Sequence, residues 1–118
     1  MQNLFEYHEA IYCFNKATKI NPNYASSYIN KGNVLIQIKD YSGAIDCFNK
    51  AIKICPNLAD AYNNKGNALY DLRNFDAAIE CYEKALEIDA TNSEALLNKN
   101  NALKQKESQK NEKSIVLD

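Results

Sequence analysis

Apolar residues recur every three or four positions along most of the chain, with polar or charged residues between them. Tyr62, Gly66 and Leu69 share one helix face at this spacing. Ala78 and Ala85 share the face of a second helix in the same way. This periodicity predicts amphipathic α-helices that each bury one side. The predicted helices cover residues 8–20, 25–38, 42–54, 59–72, 76–88 and 93–107.

Short polar segments separate these predicted helices. Lys39-Asp40 and Arg73-Asn74 contain residues that cap helix N-termini, and Pro56 lies where a helix rarely continues. The chain has only three Gly and two Pro residues, fewer chain breakers than a sandwich or barrel with many turns requires. The pattern therefore predicts an all-α protein of about six helices.

The whole pattern repeats every 34 residues. Residues 25–58 align without a gap on residues 59–92, and 13 of the 34 columns are identical. Residues 1–24 match the second helix of an incomplete first repeat, and residues 93–107 match the first helix of a later one. Each 34-residue unit is therefore predicted to fold as a helical hairpin that stacks on the next hairpin. Residues 108–118 lose the period and are mostly polar, so we expect a disordered tail.

The residues that recur define a recognisable repeat. They are Tyr28, Lys31, Gly32, Leu35, Ala44, Phe48, Ala51 and Pro56 in one unit, and Tyr62, Lys65, Gly66, Leu69, Ala78, Tyr82 and Ala85 in the next. This pattern resembles the tetratricopeptide repeat over about residues 7–107. The resemblance implies a right-handed α-solenoid of antiparallel helical hairpins. It also implies a non-catalytic module that binds another protein in a concave groove lined by the first helix of each hairpin.

Small residues mark the places where two helices should touch. Gly32 and Gly66 would let helices approach closely, with Phe48 and Tyr82 filling the space around them. Asn100 occupies the glycine column in the last predicted helix, where the sequence supplies no further partner. We therefore expect residues 93–107 to form a solvating C-terminal cap.

The beginning of the chain predicts an uncovered apolar face. Ala10, Phe14 and Ala17 have the residue types of a second helix, but only six residues precede Tyr7, too few for the first helix of that hairpin. Two explanations stay open at this point. The chain is a fragment of a longer array, or the face is covered by another molecule, including a second copy in a homo-oligomer.

Charge and hydropathy exclude several classes of partner. The net charge is −1, without the basic excess that nucleic-acid binding requires. No apolar run approaches the length of about 20 residues that spans a bilayer, and the N-terminus lacks a signal peptide's pattern. We therefore expect neither a nucleic-acid nor a membrane partner, and a cytoplasmic protein, with the nucleus left open.

The sequence offers little catalytic chemistry. His8 is the one histidine, and no second ligand lies at metal-binding spacing from it. Cys13, Cys47 and Cys81 follow the 34-residue period. Equivalent helices in neighbouring repeats should lie about 8–10 Å apart, beyond the limit of about 7 Å for a disulfide, so we expect packed or partly exposed free thiols. No phosphate-binding loop or nucleophile motif is found. We predict no enzyme activity and no cofactor or metal, although a substrate-recruiting segment of a larger enzyme stays an alternative.

Two series of asparagines point to the binding groove. The first series is Asn30, Asn64 and Asn98, and the second is Asn33, Asn67 and Asn101. Asn forms helices poorly, so six such placements need a reason, which is either packing between repeats or ligand contact. A primary amide can both donate to and accept from an extended peptide backbone. The first series is similar to the asparagine ladders of O-linked sugar transferases and kinesin light chains, which implies this role. Other predicted groove residues are Ile29, Ile36, Asn63, Tyr70 and Leu97, with Asp71 and Glu94 beside them.

The resemblance also raises a second type of peptide site, the carboxylate clamp that holds an acidic chaperone C-terminus. Asn33 and Asn64 occupy its amide columns, but its basic columns hold Ile29, Glu94 and Asn98. An acidic terminus would meet Glu94 without a compensating cation. The sequence therefore favours neutral or basic extended segments over an acidic terminus.

Overall fold

Six helices make up the part of the chain described by this computed structural model, which covers residues 3–117 and the side chains of residues 3–112. Every element in that range is helical, so the predicted all-α fold is confirmed. The four central helices begin and end within one residue of their predicted limits. The helices are α1 (Leu4–Ile20), α2 (Ala25–Gln37), α3 (Tyr41–Ile54), α4 (Ala59–Asp71), α5 (Phe75–Ile88) and α6 (Ser93–Leu117).

Helix α1 begins four residues earlier than predicted. Asn3 caps it: its side chain accepts from the Glu6 backbone N–H at 2.9 Å, and Glu6 Oε2 accepts from the Asn3 N–H at 3.3 Å. This reciprocal pair is a capping box. An Asn followed three residues later by Glu is its sequence signal, and the apolar period alone does not reveal it. Residues 1 and 2 of the predicted first segment lie outside the described residues.

Helix α6 corrects the prediction of a disordered tail. It continues without interruption through residues 108–117, and residue 118 lies outside the described range. No Gly or Pro interrupts residues 93–117, and the Lys, Glu and Gln residues there propagate a helix at little cost. Lys106 Nζ also lies 2.7 Å from Asp76 Oδ1 on α5. The loss of apolar period marks the loss of burial, while the helix itself persists.

Consecutive helices pack against each other, which gives an elongated solenoid with extents of 56 × 33 × 23 Å. Helix α2 pairs with α3 as the first hairpin, and α4 pairs with α5 as the second hairpin. Helix α4 also contacts both α2 and α6. The first helices of successive units therefore adjoin one another, as stacked hairpins require.

Each hairpin closes on a glycine and an aromatic ring. A Cβ atom on Gly32 would lie 2.6 Å from Cε1 of Phe48, and one on Gly66 would lie 2.6 Å from Cε1 of Tyr82. Both rings are almost completely buried. Asn100, in the same column of α6, is exposed and meets no such ring. The predicted packing scheme therefore holds for both hairpins, and the asparagine is tolerated because α6 meets no ring on that side.

The first helix of each hairpin ends in the same way. Lys39 and Arg73 have left-handed φ angles of 66° and 63°. In the first hairpin the Asp40 N–H donates to the Leu35 carbonyl, and the equivalent bond closes the second hairpin. These bonds form Schellman motifs, in which glycine is the usual left-handed residue. Both turns therefore retain a non-glycine residue at a position that favours glycine.

Helix α1 is less covered than its equivalents. No residue of α1 is buried, and Phe14 is only half-buried, whereas its equivalent Phe48 is fully buried. Ala10 and Ala17 are also half-buried, so their face is partly covered by α2. Leu4 and Phe5 are 60% and 71% exposed. The three predicted residues are therefore only partly uncovered, and the exposed apolar side chains of α1 are others, including Leu4, Phe5 and Tyr12.

Candidate functional site

A cavity of about 460 Å³ opens on the side of the solenoid formed by α2, α4 and α6. We call it the amide groove, because four of its ten lining residues are asparagines. Its size lies in the usual range for ligand pockets. The lining residues are Asn33, Ile36, Gln37, Asn67, Tyr70, Asp71, Tyr82, Glu94, Asn98 and Asn101.

Asn67 is the centre of a hydrogen-bond network in the second hairpin. The Tyr82 hydroxyl donates to Asn67 Oδ1 at 2.7 Å, and Asn98 Nδ2 donates to the same oxygen at 3.2 Å. Tyr82 is 1% exposed, so its hydroxyl depends on this acceptor. Oδ1 of Asn67 is thus occupied from inside the protein, and the residue also lines the groove.

For Asn63 the structure corrects the expectation of a groove contact. Its side chain is 2% exposed and does not line the amide groove. Its Nδ2 donates to Glu94 Oε1 at 3.2 Å, and its Oδ1 accepts from Asn98 Nδ2 at 3.1 Å. A buried amide needs such partners on both ends. Asn63 therefore joins α4 to α6 and positions two groove residues from behind.

The first hairpin presents its amides differently. Asn33 lines the amide groove, is exposed, and makes no side-chain hydrogen bond within the described part of the chain. Its hairpin partner Phe48 has no hydroxyl to donate to it. Asn30, one turn away, is exposed outside the cavity. Ile29 packs against the buried cluster around Leu35. The donor and the acceptor of the Asn33 amide are therefore both without a side-chain partner in that range.

The remaining predicted residues divide between the cavity and its surroundings. Asn101 and Tyr70 line the amide groove, and Tyr70 packs edge-on against Phe75 with ring centroids 5.3 Å apart. Asn64 is half-buried and Leu97 is 60% exposed, and neither lines the cavity. The second asparagine series thus lines the cavity throughout, whereas only Asn98 of the first series does.

The amide groove is acidic. Asp71 and Glu94 line it, and none of its lining residues is Lys or Arg. Partial burial raises the pKa of the Asp71 carboxyl. Burial also raises the pKa of the Tyr82 hydroxyl, and the charges of Asp71 and Glu94 add to that effect. Tyr82 therefore stays neutral at physiological pH and acts as a hydrogen-bond donor.

Two groove residues escape sequence reasoning. Gln37 lies at the end of α2, at a position where the repeat pattern gives no signal. Tyr82 belongs to the core pattern of the repeat, so the sequence indicates a packing residue and gives no sign that its hydroxyl lies at the groove. The sequence signal that could reveal it is a difference within one repeat column, because Tyr82 carries a hydroxyl where the equivalent Phe48 does not.

Other candidate chemistry lies apart from the groove. All four cysteines are free thiols, and burial raises the pKa of Cys47 and Cys81. His8 is exposed on α1. Among the described residues, no group of three or more His, Cys, Asp or Glu side chains is arranged to hold a metal. Within the same range, no helix has the length and apolar character needed to cross a membrane.

Two family profiles match the sequence, over three segments. The profile described as "Tetratricopeptide repeat" matches residues 59–92. The profile described as "TPR repeat" matches residues 6–39 and 32–73, which together cover more than half of the chain. A sequence search of curated proteins finds no match.

Three similar solved structures are TPR domains. The first TPR of Spaghetti (RPAP3), bound to the HSP90 peptide SRMEEVD, is 25% identical with a TM-score of 0.81, over 84% of this chain and 79% of that one. The first TPR domain of human RPAP3 is 26% identical with a TM-score of 0.86, over 89% and 83%. The Arabidopsis OM64 TPR domain, at 22% identity and a TM-score of 0.81 over 84% and 82%, supports the fold alone.

Proposed function

Because this chain belongs to the tetratricopeptide repeat family, we propose that it is a non-catalytic interaction module that binds an extended peptide segment of a partner protein in the amide groove. The observation that carries this proposal is the convergence of four asparagines from three helices on one cavity. Each amide offers donors and an acceptor that match the N–H and C=O groups of a peptide backbone.

The hydrogen bonds of the four groove asparagines support a role in binding peptide backbone. Asn33 and Asn101 are exposed and make no side-chain hydrogen bonds within the described residues. Asn67 and Asn98 are held by the network around Tyr82, which fixes their orientation before a ligand arrives. Ile36 and Tyr70 add apolar surface beside them. A ligand would therefore meet both adaptable amides and preorganised amides.

The size of these contacts limits the expected affinity. Each hydrogen bond adds about 0.5–1.5 kcal/mol net, so a few amide pairs with apolar contacts suggest a Kd no tighter than about 1 μM. Because amides pair with backbone and carry no charge, this part of the binding should change little with salt or with peptide sequence.

The structural relative that binds SRMEEVD raises the question of an acidic ligand. In this chain the columns that would need basic side chains hold Ile29, Glu94 and Asn98. Ile29 packs against the core and Glu94 accepts from Asn63. This arrangement favours backbone contacts over a clamp on a carboxylate.

Two double variants test the proposal separately for the two asparagine series. A seven-residue peptide selected from a random library on the immobilised protein serves as the probe in titration calorimetry. Asn33→Ala with Asn101→Ala should weaken binding of several unrelated selected peptides by similar factors, while circular dichroism stays helical. Asn30→Ala with Asn64→Ala reports on the first series. Asn49→Ala, an exposed position on α3, is the matched control. Unchanged affinity in the Asn33 and Asn101 double variant would overturn binding through the groove amides.

Self-association through α1 is the second candidate, favoured by the exposure of Leu4, Phe5 and Tyr12 on that helix. Such an apolar patch is unusual on a monomer. In sedimentation velocity, dimers that dissociate on Phe5→Glu, a substitution within this exposed patch, would support this role. A parent protein that stays monomeric at about millimolar concentration would exclude it.

A further inference from the structure

The amide groove has a definite charge character as well as its amides. On the basis of the proposed function, we infer that it selects extended segments carrying a Lys or Arg side chain and discriminates against acidic segments. The acidic side chains Asp71 and Glu94 both line it, and none of its ten lining residues is basic. The partner is therefore expected to present a basic side chain within the segment that the amides hold.

Glu94 is oriented by the protein before any ligand binds. The buried Asn63 amide donates to Glu94 Oε1 at 3.2 Å, and the same residue accepts from Asn98 at 3.1 Å. This leaves Oε2 of Glu94 to accept a bond from a cation at the groove. A carboxylate fixed in advance loses less side-chain entropy on binding than one that must be ordered by the ligand.

Asp71 supplies the second carboxylate, from the end of α4. It makes no salt bridge within the described part of the chain, and the partial burial of its carboxyl makes the ionised form cost more without a cation nearby. Asp71 and Glu94 line the same cavity, and the charges of both add to the raised pKa of the buried Tyr82 hydroxyl. The adjacent Tyr70 ring offers an apolar surface for the stem of a Lys or Arg side chain.

This ligand preference differs from the ligand of the structural relative, whose peptide SRMEEVD carries three acidic side chains and one basic one. In the groove of this chain those acidic side chains would lie near Asp71 and Glu94, and like charges disfavour binding. The two proteins share a fold, but the charges at the groove predict opposite preferences.

Three matched peptides of the same length as SRMEEVD test the inference. They share an uncharged Ala/Ser sequence with blocked ends and differ at the central position, which is Lys, norleucine or Glu. Chemical-shift titration of the ¹⁵N-labelled protein measures each Kd, including values in the millimolar range. We expect the Lys peptide to bind about two- to tenfold more tightly than the norleucine peptide, and the Glu peptide to bind most weakly. This ratio should fall towards one as salt rises.

Variants assign the preference to the two carboxylates. Asp71→Asn and Glu94→Gln should each lower the Lys-to-norleucine ratio, because each removes one negative charge that a Lys side chain would meet in the groove. Glu80→Gln, which removes an exposed carboxylate on α5 outside the groove, should leave the ratio as in the parent. Equal Kd values for Lys and norleucine, or a ratio that survives both substitutions, would overturn the inference while the proposed function stands. Failure of all three peptides to bind would overturn both.

Discussion

The two hairpins share a repeat pattern but use their groove asparagines differently. In the second hairpin, Asn67 accepts from the buried Tyr82 hydroxyl and from Asn98. In the first hairpin, the equivalent Asn33 is exposed and Phe48 replaces the tyrosine. The ring hydroxyl and the bond from Asn98 therefore distinguish Asn67 from Asn33, which makes no side-chain hydrogen bond among the described residues. Recurrence at 34 residues identifies the column, but the neighbours of each member decide its role.

The strongest test of the shared part of the two hairpins is the glycine column. Gly32→Leu and Gly66→Leu should each destabilise the protein by about 3 kcal/mol or more, because a side chain at either site enters the ring of Phe48 or Tyr82. Urea denaturation followed by circular dichroism measures the loss. Asn100→Leu is the control and should change the free energy of unfolding by less than about 0.5 kcal/mol. Comparable losses at Asn100 and Gly66 would contradict the packing scheme.

Substitutions at the equivalent residues Asn33 and Asn67 should change the stability of the protein by different amounts. Asn67→Ala should cost about 1–3 kcal/mol, because it leaves the buried Tyr82 hydroxyl without an acceptor. Asn33→Ala should be neutral or slightly stabilising, because Ala is the better helix former and no bond is lost. The same denaturation experiment compares them. Equal losses in the free energy of unfolding would contradict the distinction between Asn67, which is bonded within the protein, and Asn33, which makes no side-chain hydrogen bond among the described residues.

Alkaline pH provides a third contrast. The pKa of Tyr82 is raised in the folded state, from a usual value of 10.0, so its contribution to stability is complete below about pH 10. As pH rises further, the unfolded chain ionises first and stability falls. Tyr82→Phe should lower stability by about 1 kcal/mol at neutral pH and reduce this alkaline loss. Thermal unfolding at several pH values measures both effects. A parallel pH dependence in the parent and the variant would show that another group controls the loss.

The smallest expected effect lies at the helix ends. Lys39→Gly should stabilise the protein by about 0.5–1 kcal/mol, because glycine adopts the left-handed conformation without strain. Arg73→Gly gains the same relief but loses the contact of the guanidinium with the Phe75 ring, 5.4 Å from its centroid. Its net effect should be close to zero. Denaturation of both variants compares their changes in the free energy of unfolding. Equal stabilisation by the two substitutions would contradict a stabilising contact between Arg73 and Phe75.

The sequence predicts most of the fold because the repeat is local. Apolar spacing and small residues locate α2 to α5 within one residue of their ends, and Gly66 marks a real helix contact. The polar end of α6 is missed because apolar periodicity measures burial, and a solvated helix has none. The early start of α1 is missed because it depends on the Asn3 cap.

The candidate site is less predictable because its hydrogen bonds join distant positions. The Tyr82 to Asn67 bond spans 15 residues, and the Asn98 to Asn63 bond spans 35. Column identity places Asn63 beside the groove asparagines, but only the packing of α4 against α6 shows that it is buried. Sequence reasoning therefore finds the groove helices, while the partners of each amide need coordinates.

The most direct test of the central claim follows the side-chain amides themselves. In a ¹H–¹⁵N titration with a selected peptide, the side-chain NH₂ signals of Asn33 and Asn101 should shift most, because these exposed amides are expected to form new bonds to the peptide backbone. The signals of Asn67 and Asn98 should shift less, since they are already held within the protein. Shifts confined to α1 or to the outer helices α3 and α5, with the Asn33 and Asn101 signals unmoved, would contradict binding in the amide groove.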